Sequence, residues 1–176
     1  DPVFCDYEVV LAAGDGIIES DDESTATFDR VKDAIRDHDK TITLSVGQLT
    51  VGVTIPEWSG VLMLCNLQSA SSYMQAAFRA QNPCVMTKNG CRLCKETAYV
   101  FDFDPARTLI IFDAFANNLS PRTADGGGTS DDRKENIRRL LNFFPVLGED
   151  DEGRMVELDA AQVLSIPRKL KSEEVV

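Results

Sequence analysis

Short apolar runs alternate with segments of helical spacing over residues 7–119, and this alternation most constrains how the chain can fold. The runs at 7–16, 41–46, 60–67 and 96–104 are bounded by turn-forming or polar residues, as expected for strands. Those at 41–46 and 60–67 are continuously apolar, which is typical of parallel strands covered on both faces. The sequence therefore predicts an α/β domain with a mostly parallel sheet.

The segments between these runs have the features of helices. The first follows Ser24 or Thr25, either of which can cap a helix N-terminus, and carries apolar residues three and four positions apart. Residues 69–80 begin with serines, and residues 105–119 begin with a proline, which favours the first turn of a helix. We expect a helix in each of these three segments.

The composition then changes, and it divides the chain into three predicted segments. Residues 1–119 form the main α/β domain, and residues 120–132 form a mobile linker rich in Gly, Ser and Asp. Residues 133–176 form a small C-terminal α/β extension, with an amphipathic helix, a hairpin or paired strands, and a last short helix. No run approaches 18 apolar residues, so no membrane span is predicted.

Charge is unevenly distributed along the chain. The formal net charge is −11, which argues against an autonomous nucleic-acid-binding domain, since such domains are usually basic. Between Lys40 and Val100, however, five basic residues face only two acidic ones. A mildly basic region on an acidic protein is compatible with a partner that carries phosphate groups.

The five cysteines indicate a reducing cytoplasm rather than a disulfide framework, because their number is odd and Cys65 lies in an apolar run. Cys84, Cys91 and Cys94 lie within eleven residues, and the last two have the spacing of half a zinc site. The only histidine, His38, lies far upstream, so a fourth ligand is missing. We therefore expect a hairpin-like loop with free thiols and no bound metal.

Two polar segments lie where an α/β sheet usually carries its function, near the carboxyl ends of strands. Residues 45–60 contain glycines and threonines, whose backbone N–H groups and hydroxyls suit phosphate oxygens, although a purely structural turn has the same composition. In the next helix, Gln75 and Arg79 are four positions apart and share one face. They are either solvated surface residues or a pair that converges on one target.

Together these segments resemble a known family. The run T-V-G-V-T-I-P at 50–56, followed by Q-A-A-F-R-A-Q-N at 75–82, resembles the last two motifs of superfamily 2 helicases. Those motifs have the forms T-x-G-x-D-x-P and Q-x-x-G-R-x-x-R. The wider sequence over residues 5–119 is similar to the DEAD/DEAH-box helicase subunits of type III and type I-like restriction enzymes. The resemblance implies a RecA-like three-layer sandwich, namely the second RecA-like domain of such a helicase.

The resemblance also implies roles for individual residues. Arg79 would stabilise the transferring phosphoryl group, and Gln75 would position the γ-phosphate and its water. The resemblance also implies that Gly52 and Thr54 contact the nucleotide. It implies that Ser45, Gly47 and Thr50 contact nucleic acid.

Three residues depart from the family pattern. Thr54 stands where the family has an aspartate, which removes a carboxylate link to the nucleotide. Phe78 stands where the family has a glycine, and we expect its ring to pack into the core. Asn82 stands where the family has a second arginine, so Arg79 must act alone or with help from elsewhere.

The remaining motifs of a helicase ATPase are absent from the sequence, which has neither a G-x-x-x-x-G-K-[ST] phosphate loop nor a D-E-x-[HD] box. The resemblance therefore implies half of an ATPase, a fragment that is inactive alone. Its partners would be a first RecA-like domain of the same protein, which would bind most of the ATP and Mg²⁺, together with DNA and a methyltransferase or specificity module. The alternative is a non-catalytic α/β interaction module whose Cys-rich loop binds a partner or a metal.

Overall fold

A computed structural model describes residues 2–12, 21–46, 54–88, 90–150 and 152–165. The chain divides into two compact units. The first unit comprises Asp1–Val61 and Gln75–Phe101, and the second comprises Leu62–Met74 and Asp102–Val176. Within the described ranges, no helix has both the length and the apolar character needed to cross a bilayer.

The elements follow one another in an order close to the predicted one. They are β1 (Glu8–Ala12), α1 (Asp21–Asp37), β2 (Thr41–Ser45), β3 (Gly60–Met63), α2 (Ala70–Ala77), a 3-10 turn (Phe78–Gln81), β4 (Val85–Lys88), β5 (Cys91–Cys94), β6 (Tyr99–Asp102), α3 (Pro105–Asn118), a second 3-10 turn (Ala124–Gly126), α4 (Ser130–Leu141), β7 (Leu147–Glu149) and β8 (Met155–Glu157). Residues 160–165 are helical as well.

The described strands pair as four two-stranded sheets. Strands β1 and β2 are parallel, with Glu8 opposite Thr41 and Ala12 opposite Ser45. Strand β3 pairs with β6. The hairpins β4–β5 and β7–β8 are antiparallel, and the second confirms the paired strands expected near the C-terminus. The architecture is mixed α/β, and the RecA-like three-layer sandwich stays a prediction.

Burial of the apolar strands differs from the expectation. One face of the β1–β2 pair packs on α1, where Ala12, Val31 and Ile55 form a fully buried core. The opposite face carries Leu11 and Leu44, which are 59% and 45% exposed. Strands β2 and β3 are therefore not covered on both faces within the described part of the chain, since Leu44 of β2 and Leu62 of β3 remain exposed.

The helices begin and end close to the predicted positions. Helix α1 begins at Asp21, ahead of the predicted caps. The helix predicted at 69–80 is an α-helix only to Ala77 and continues as a 3-10 turn. Helix α3 begins at Pro105 as predicted, and the Asp104 carboxylate caps it by accepting a hydrogen bond from the Arg107 backbone N–H.

The segment 120–132, predicted as a linker, contains ordered polar contacts in the second unit. Thr123 is buried, and its hydroxyl donates to Asn117 O at 2.7 Å while it accepts from Asn136 Nδ2 at 2.8 Å. Thr129 and Asp132 form a reciprocal capping box at the start of α4. These contacts fix the segment at two points, and the boundaries of the three predicted segments stay predictions.

Candidate functional site

The residues predicted to contact nucleotide and nucleic acid lie at the end of β2 and in the segment after it. Ser45 is the last residue of β2 and is exposed. Thr54 is also exposed, and it directly precedes the fully buried Ile55. The other three, Gly47, Thr50 and Gly52, lie outside the described residues. Ile55 therefore anchors the end of this segment in the core of the first unit and leaves Thr54 at its surface.

Gln75 and Arg79 lie on either side of the change from α-helix to 3-10 turn. Gln75 is exposed within α2, and Arg79 is half-buried within the turn. A 3-10 turn advances about 120° per residue, compared with about 100° in an α-helix. Arg79 is therefore rotated further round the axis than in the uninterrupted helix that we predicted. Convergence of the two side chains on one target stays a prediction.

The residues around Arg79 at the end of this helix differ in their burial. Phe78 is 39% exposed, so the expectation that its ring is buried in the core is wrong. The small Ala77 and Ala80 are fully buried on either side of Phe78 and Arg79. The Asn82 side-chain amide donates to Arg79 O at 3.1 Å. Asn82 stands where the family has its second arginine. Its side-chain amide thus holds the backbone of Arg79, which corresponds to the family's first arginine.

One lysine connects the two segments that resemble helicase motifs. Lys95 follows β5, and its Nζ lies 2.7 Å from Pro56 O, 2.9 Å from Trp58 O and 2.8 Å from Ala80 O. An ammonium group has three N–H donors, so each donor has one backbone acceptor. We call this arrangement the Lys95 joint. It places the backbone after Thr54 beside the backbone of the Arg79 turn, in the first unit.

Neighbouring contacts support the Lys95 joint. The backbone N–H of Lys95 donates to Cys84 O at 2.9 Å, which continues the β4–β5 pairing. Glu57 forms a 2.9 Å ion pair with Lys32 of α1. Burial lowers the pKa of Lys95, and the nearby Cys84 and Glu57 oppose that shift. Burial alone would raise the pKa of Glu57, but hydrogen bonding to Lys32 and the positive charge around it leave that pKa lowered.

A second polar cluster lies in the second unit, at the junction of β6 and α3. Arg107 forms a buried ion pair with Asp102, and its Nη1 also donates to Cys65 O at 2.8 Å and to Asn66 Oδ1 at 3.1 Å. We call this arrangement the Arg107 joint. Cys65 is exposed and lies beyond the end of β3, contrary to its predicted position inside a strand.

The ionisable groups of the Arg107 joint have shifted pKa values. Burial would raise the pKa of Asp102, but hydrogen bonds from the Asp104 backbone and from Arg107 leave that pKa lowered. Burial raises the pKa of the Tyr73 phenol to about 12, and the Asp102 carboxylate contributes to the shift. The carboxylate is therefore held ionised and the phenol is held neutral.

The cysteine cluster forms the β4–β5 hairpin. The five cysteines are free thiols in the structure, and Cys91 and Cys94 occupy the two ends of strand β5. Residues three apart on a strand point to opposite faces and span roughly 10 Å, which does not suit a shared tetrahedral ion. No group of three or more His, Cys, Asp or Glu side chains in the described part of the chain is placed to hold a metal ion.

An open cleft of about 420 Å³ lies in the second unit, between α4 and the segment that follows β8. None of the predicted site residues that the structure describes lines it. Its walls are formed by Arg138, Leu141, Asn142, Glu157, Leu158, Asp159, Ala160 and Ala161.

The chain is similar in sequence to a restriction-modification protein. It is 35% identical over 118 residues to a Mycoplasma pneumoniae protein whose provisional name is type II restriction enzyme and methyltransferase, C-terminus. The match covers 67% of this chain and 16% of that relative, so the chain spans about a sixth of the relative's length. No protein-family model and no solved structure matches significantly. The similarity relates the chain to restriction-modification proteins.

Proposed function

We propose that the chain is the second RecA-like domain of an ATP-dependent DNA helicase or translocase in a restriction-modification enzyme. It provides one side of an ATP cleft, and a first RecA-like domain of the same protein completes that cleft. ATP and Mg²⁺ bind mainly to the first domain, which carries the phosphate loop. A methyltransferase or specificity module is a further partner of the complete enzyme.

The Lys95 joint is the observation that carries this proposal. The two motif-like segments are separated by some twenty residues of sequence, and each alone has an ordinary structural explanation. One ammonium group nevertheless binds carbonyls of both, at 2.7 Å from Pro56 O and 2.8 Å from Ala80 O. Coupling between these segments is what a nucleotide cleft requires if hydrolysis is to affect contact with DNA. The similarity to a restriction enzyme and methyltransferase supports the restriction-modification part of the proposal.

In this cleft, Arg79 stabilises the charge that develops on the transferring phosphoryl group, while Gln75 orients the γ-phosphate and the attacking water. Gly52 and Thr54 lie on the nucleotide side. Ser45, Gly47 and Thr50 hold DNA phosphates through backbone amides and hydroxyls, without selecting a base sequence. Thr54 replaces a carboxylate, so its contribution is a hydroxyl contact only.

Substitution of Arg79 in the complete protein tests the proposal. Arg79→Ala is expected to reduce DNA-stimulated ATP hydrolysis by about 10³–10⁵, because an arginine at a phosphoryl-transfer site acts mainly on the transition state. Binding of ATP should persist. Arg79→Lys should not restore turnover, because lysine lacks the planar fork of donors.

Arg92 provides the matched control, because it is an exposed arginine on β5 of the same unit. Arg92→Ala should leave hydrolysis close to the parent rate. Turnover by Arg79→Ala within a few-fold of the parent would show that this helix does not serve an ATP cleft. It would favour the non-catalytic interaction module instead.

A further inference from the structure

The 3-10 turn that carries Arg79 is a short element. It has only four residues, Phe78–Gln81, and 3-10 hydrogen bonds have poorer geometry than those of an α-helix. Ala80 is fully buried, so its carbonyl needs a hydrogen-bond donor. Lys95 Nζ supplies that donor at 2.8 Å, from a residue fifteen positions further along the chain.

The same ammonium group holds the segment after Thr54. Its other two acceptors, Pro56 O and Trp58 O, belong to the turn that begins at the buried Ile55, where the Trp58 backbone N–H donates to Ile55 O at 3.3 Å. The ammonium therefore uses all three donors on backbone carbonyls, and two of the three belong to a segment anchored in the core. Displacement of the Arg79 turn would require at least one of these charged hydrogen bonds to break.

We propose that Lys95 is a positioning residue for phosphoryl transfer, which holds the Arg79 turn at a fixed place relative to the segment after Thr54. This inference rests on the proposed function of Arg79. Lys95 Nζ donates to three backbone carbonyls. It acts through the backbone of residue 80, next to the arginine, while Asn82 holds the carbonyl of Arg79 from the other side.

The expected effect follows from the sensitivity of catalysis to position. A displacement of about 1 Å of a catalytic group can cost about 10² in rate. Lys95→Met keeps much of the apolar stem and removes all three donors. In the complete protein it should lower kcat for ATP hydrolysis by about 10²-fold, with the KM for ATP little changed.

A double-mutant cycle separates positioning from general stability. If Lys95 acts through Arg79, then Lys95→Met should cause no further loss of kcat in the Arg79→Ala protein, because the group that it positions is gone. Equal losses in both backgrounds, or a kcat for Lys95→Met close to that of the parent, would overturn the proposal. Lys40→Met is the control, since Lys40 is a half-exposed lysine of the same unit, and it should leave kcat unchanged.

One further variant, together with the Arg79→Ala result, keeps the outcomes distinct. If Lys95→Met fails to fold, Lys95→Arg takes its place in the cycle, because it keeps the charge but replaces the compact ammonium with a planar fork. It should fold, lower kcat in the parent and have no effect beside Arg79→Ala; additive losses would reject the positioning role. If the Arg79→Ala protein hydrolyses ATP at a near-parental rate, the proposed function is contradicted. If Arg79→Ala lowers kcat but the Lys95 variants do not, only the positioning role of Lys95 is contradicted.

Discussion

The Lys95 joint and the Arg107 joint both hold distant segments of the chain together, but through different kinds of contact. Each uses one cationic side chain to hold segments that are distant in sequence. Lys95 binds three neutral backbone carbonyls, and all three of its donors are used. Arg107 pairs with the charged Asp102, and both Arg107 Nε and Asp102 Oδ2 are buried without a hydrogen-bond partner among the described residues.

The difference determines how each joint should respond to substitution. Removal of Lys95 leaves carbonyl groups that can accept a hydrogen bond from water once the turn loosens. Removal of Arg107 leaves a buried negative charge, because the Asp102 side chain is only 5% exposed. The first joint therefore controls the position of a backbone turn, and the second controls whether a charge can remain in the interior.

The largest effect is predicted for a variant that removes the cationic partner of the Arg107 joint. Arg107→Met should lower the free energy of unfolding by about 3–5 kcal/mol at neutral pH, because it leaves the Asp102 carboxylate buried without its cationic partner and with the Asp104 backbone N–H as a donor. Urea unfolding of the 176-residue chain measures the change. The control is Arg138→Met, since the Arg138 side chain is 65% exposed in its pair with Glu135, and the expected loss is below about 1 kcal/mol.

Replacement of both partners sharpens the same comparison. The double variant with Asp102→Leu and Arg107→Met should recover much of the stability lost by Arg107→Met alone, because an apolar pair carries no buried charge. A loss in the double variant equal to the sum of two large single losses would show that the hydrogen bonds from Arg107 to Cys65 and Asn66, and not the charge, dominate the joint.

A smaller effect is predicted for the Lys95 joint. Lys95→Met should lower the free energy of unfolding by about 2–3 kcal/mol, since three carbonyls lose a charged donor but can regain water. The same urea measurement applies, with Lys40→Met as the control, whose expected change is below about 0.5 kcal/mol. If Lys95→Met were more destabilising than Arg107→Met, the ranking of the two joints would be wrong.

The smallest effect concerns the pH dependence of the second unit. Burial raises the pKa of Tyr73 to about 12 from an ordinary value of 10.0. Between these two values the folded chain keeps a proton that the unfolded chain releases, so stability falls as the pH rises. The fall due to Tyr73 should be about 1–3 kcal/mol and should vanish in Tyr73→Phe.

Tyr99 offers the control for this measurement, because it is a tyrosine that is 54% exposed. Urea unfolding at pH 9 to 12 should give the same decline for Tyr99→Phe as for the parent. An unchanged decline in Tyr73→Phe would contradict a neutral, buried phenol beside Asp102.

The two joints also differ in how far the sequence predicts them. Pro105 is a local signal, and the start of α3, the helix that carries Arg107, was predicted from it, although the pairing of Arg107 with Asp102 was not. The Lys95 joint was not predicted, because its three acceptors are backbone carbonyls, which every residue carries. Only the fold determines which carbonyls converge on the ammonium.

The strands show the same limit. Apolar runs predicted the positions of β1, β2 and β3, because strand patterning is local. They did not predict that Leu11 and Leu44 would stay exposed, since coverage of a sheet depends on which other segments pack against it. Likewise, the serines that begin residues 69–80 predicted a helix through residue 80, whereas the chain changes to a 3-10 turn at Phe78, next to the contacts of Ala80 and Asn82.

Hydrogen–deuterium exchange of the 176-residue chain tests most directly whether Lys95 joins the two motif-like segments. Peptides that cover Ile55–Trp58 and Phe78–Gln81 report on the two sides of the joint. In Lys95→Met, both peptides should exchange faster by a similar factor, while Lys40→Met should leave both unchanged. If the Phe78–Gln81 peptide kept its protection in Lys95→Met, the two segments would not be coupled through this lysine.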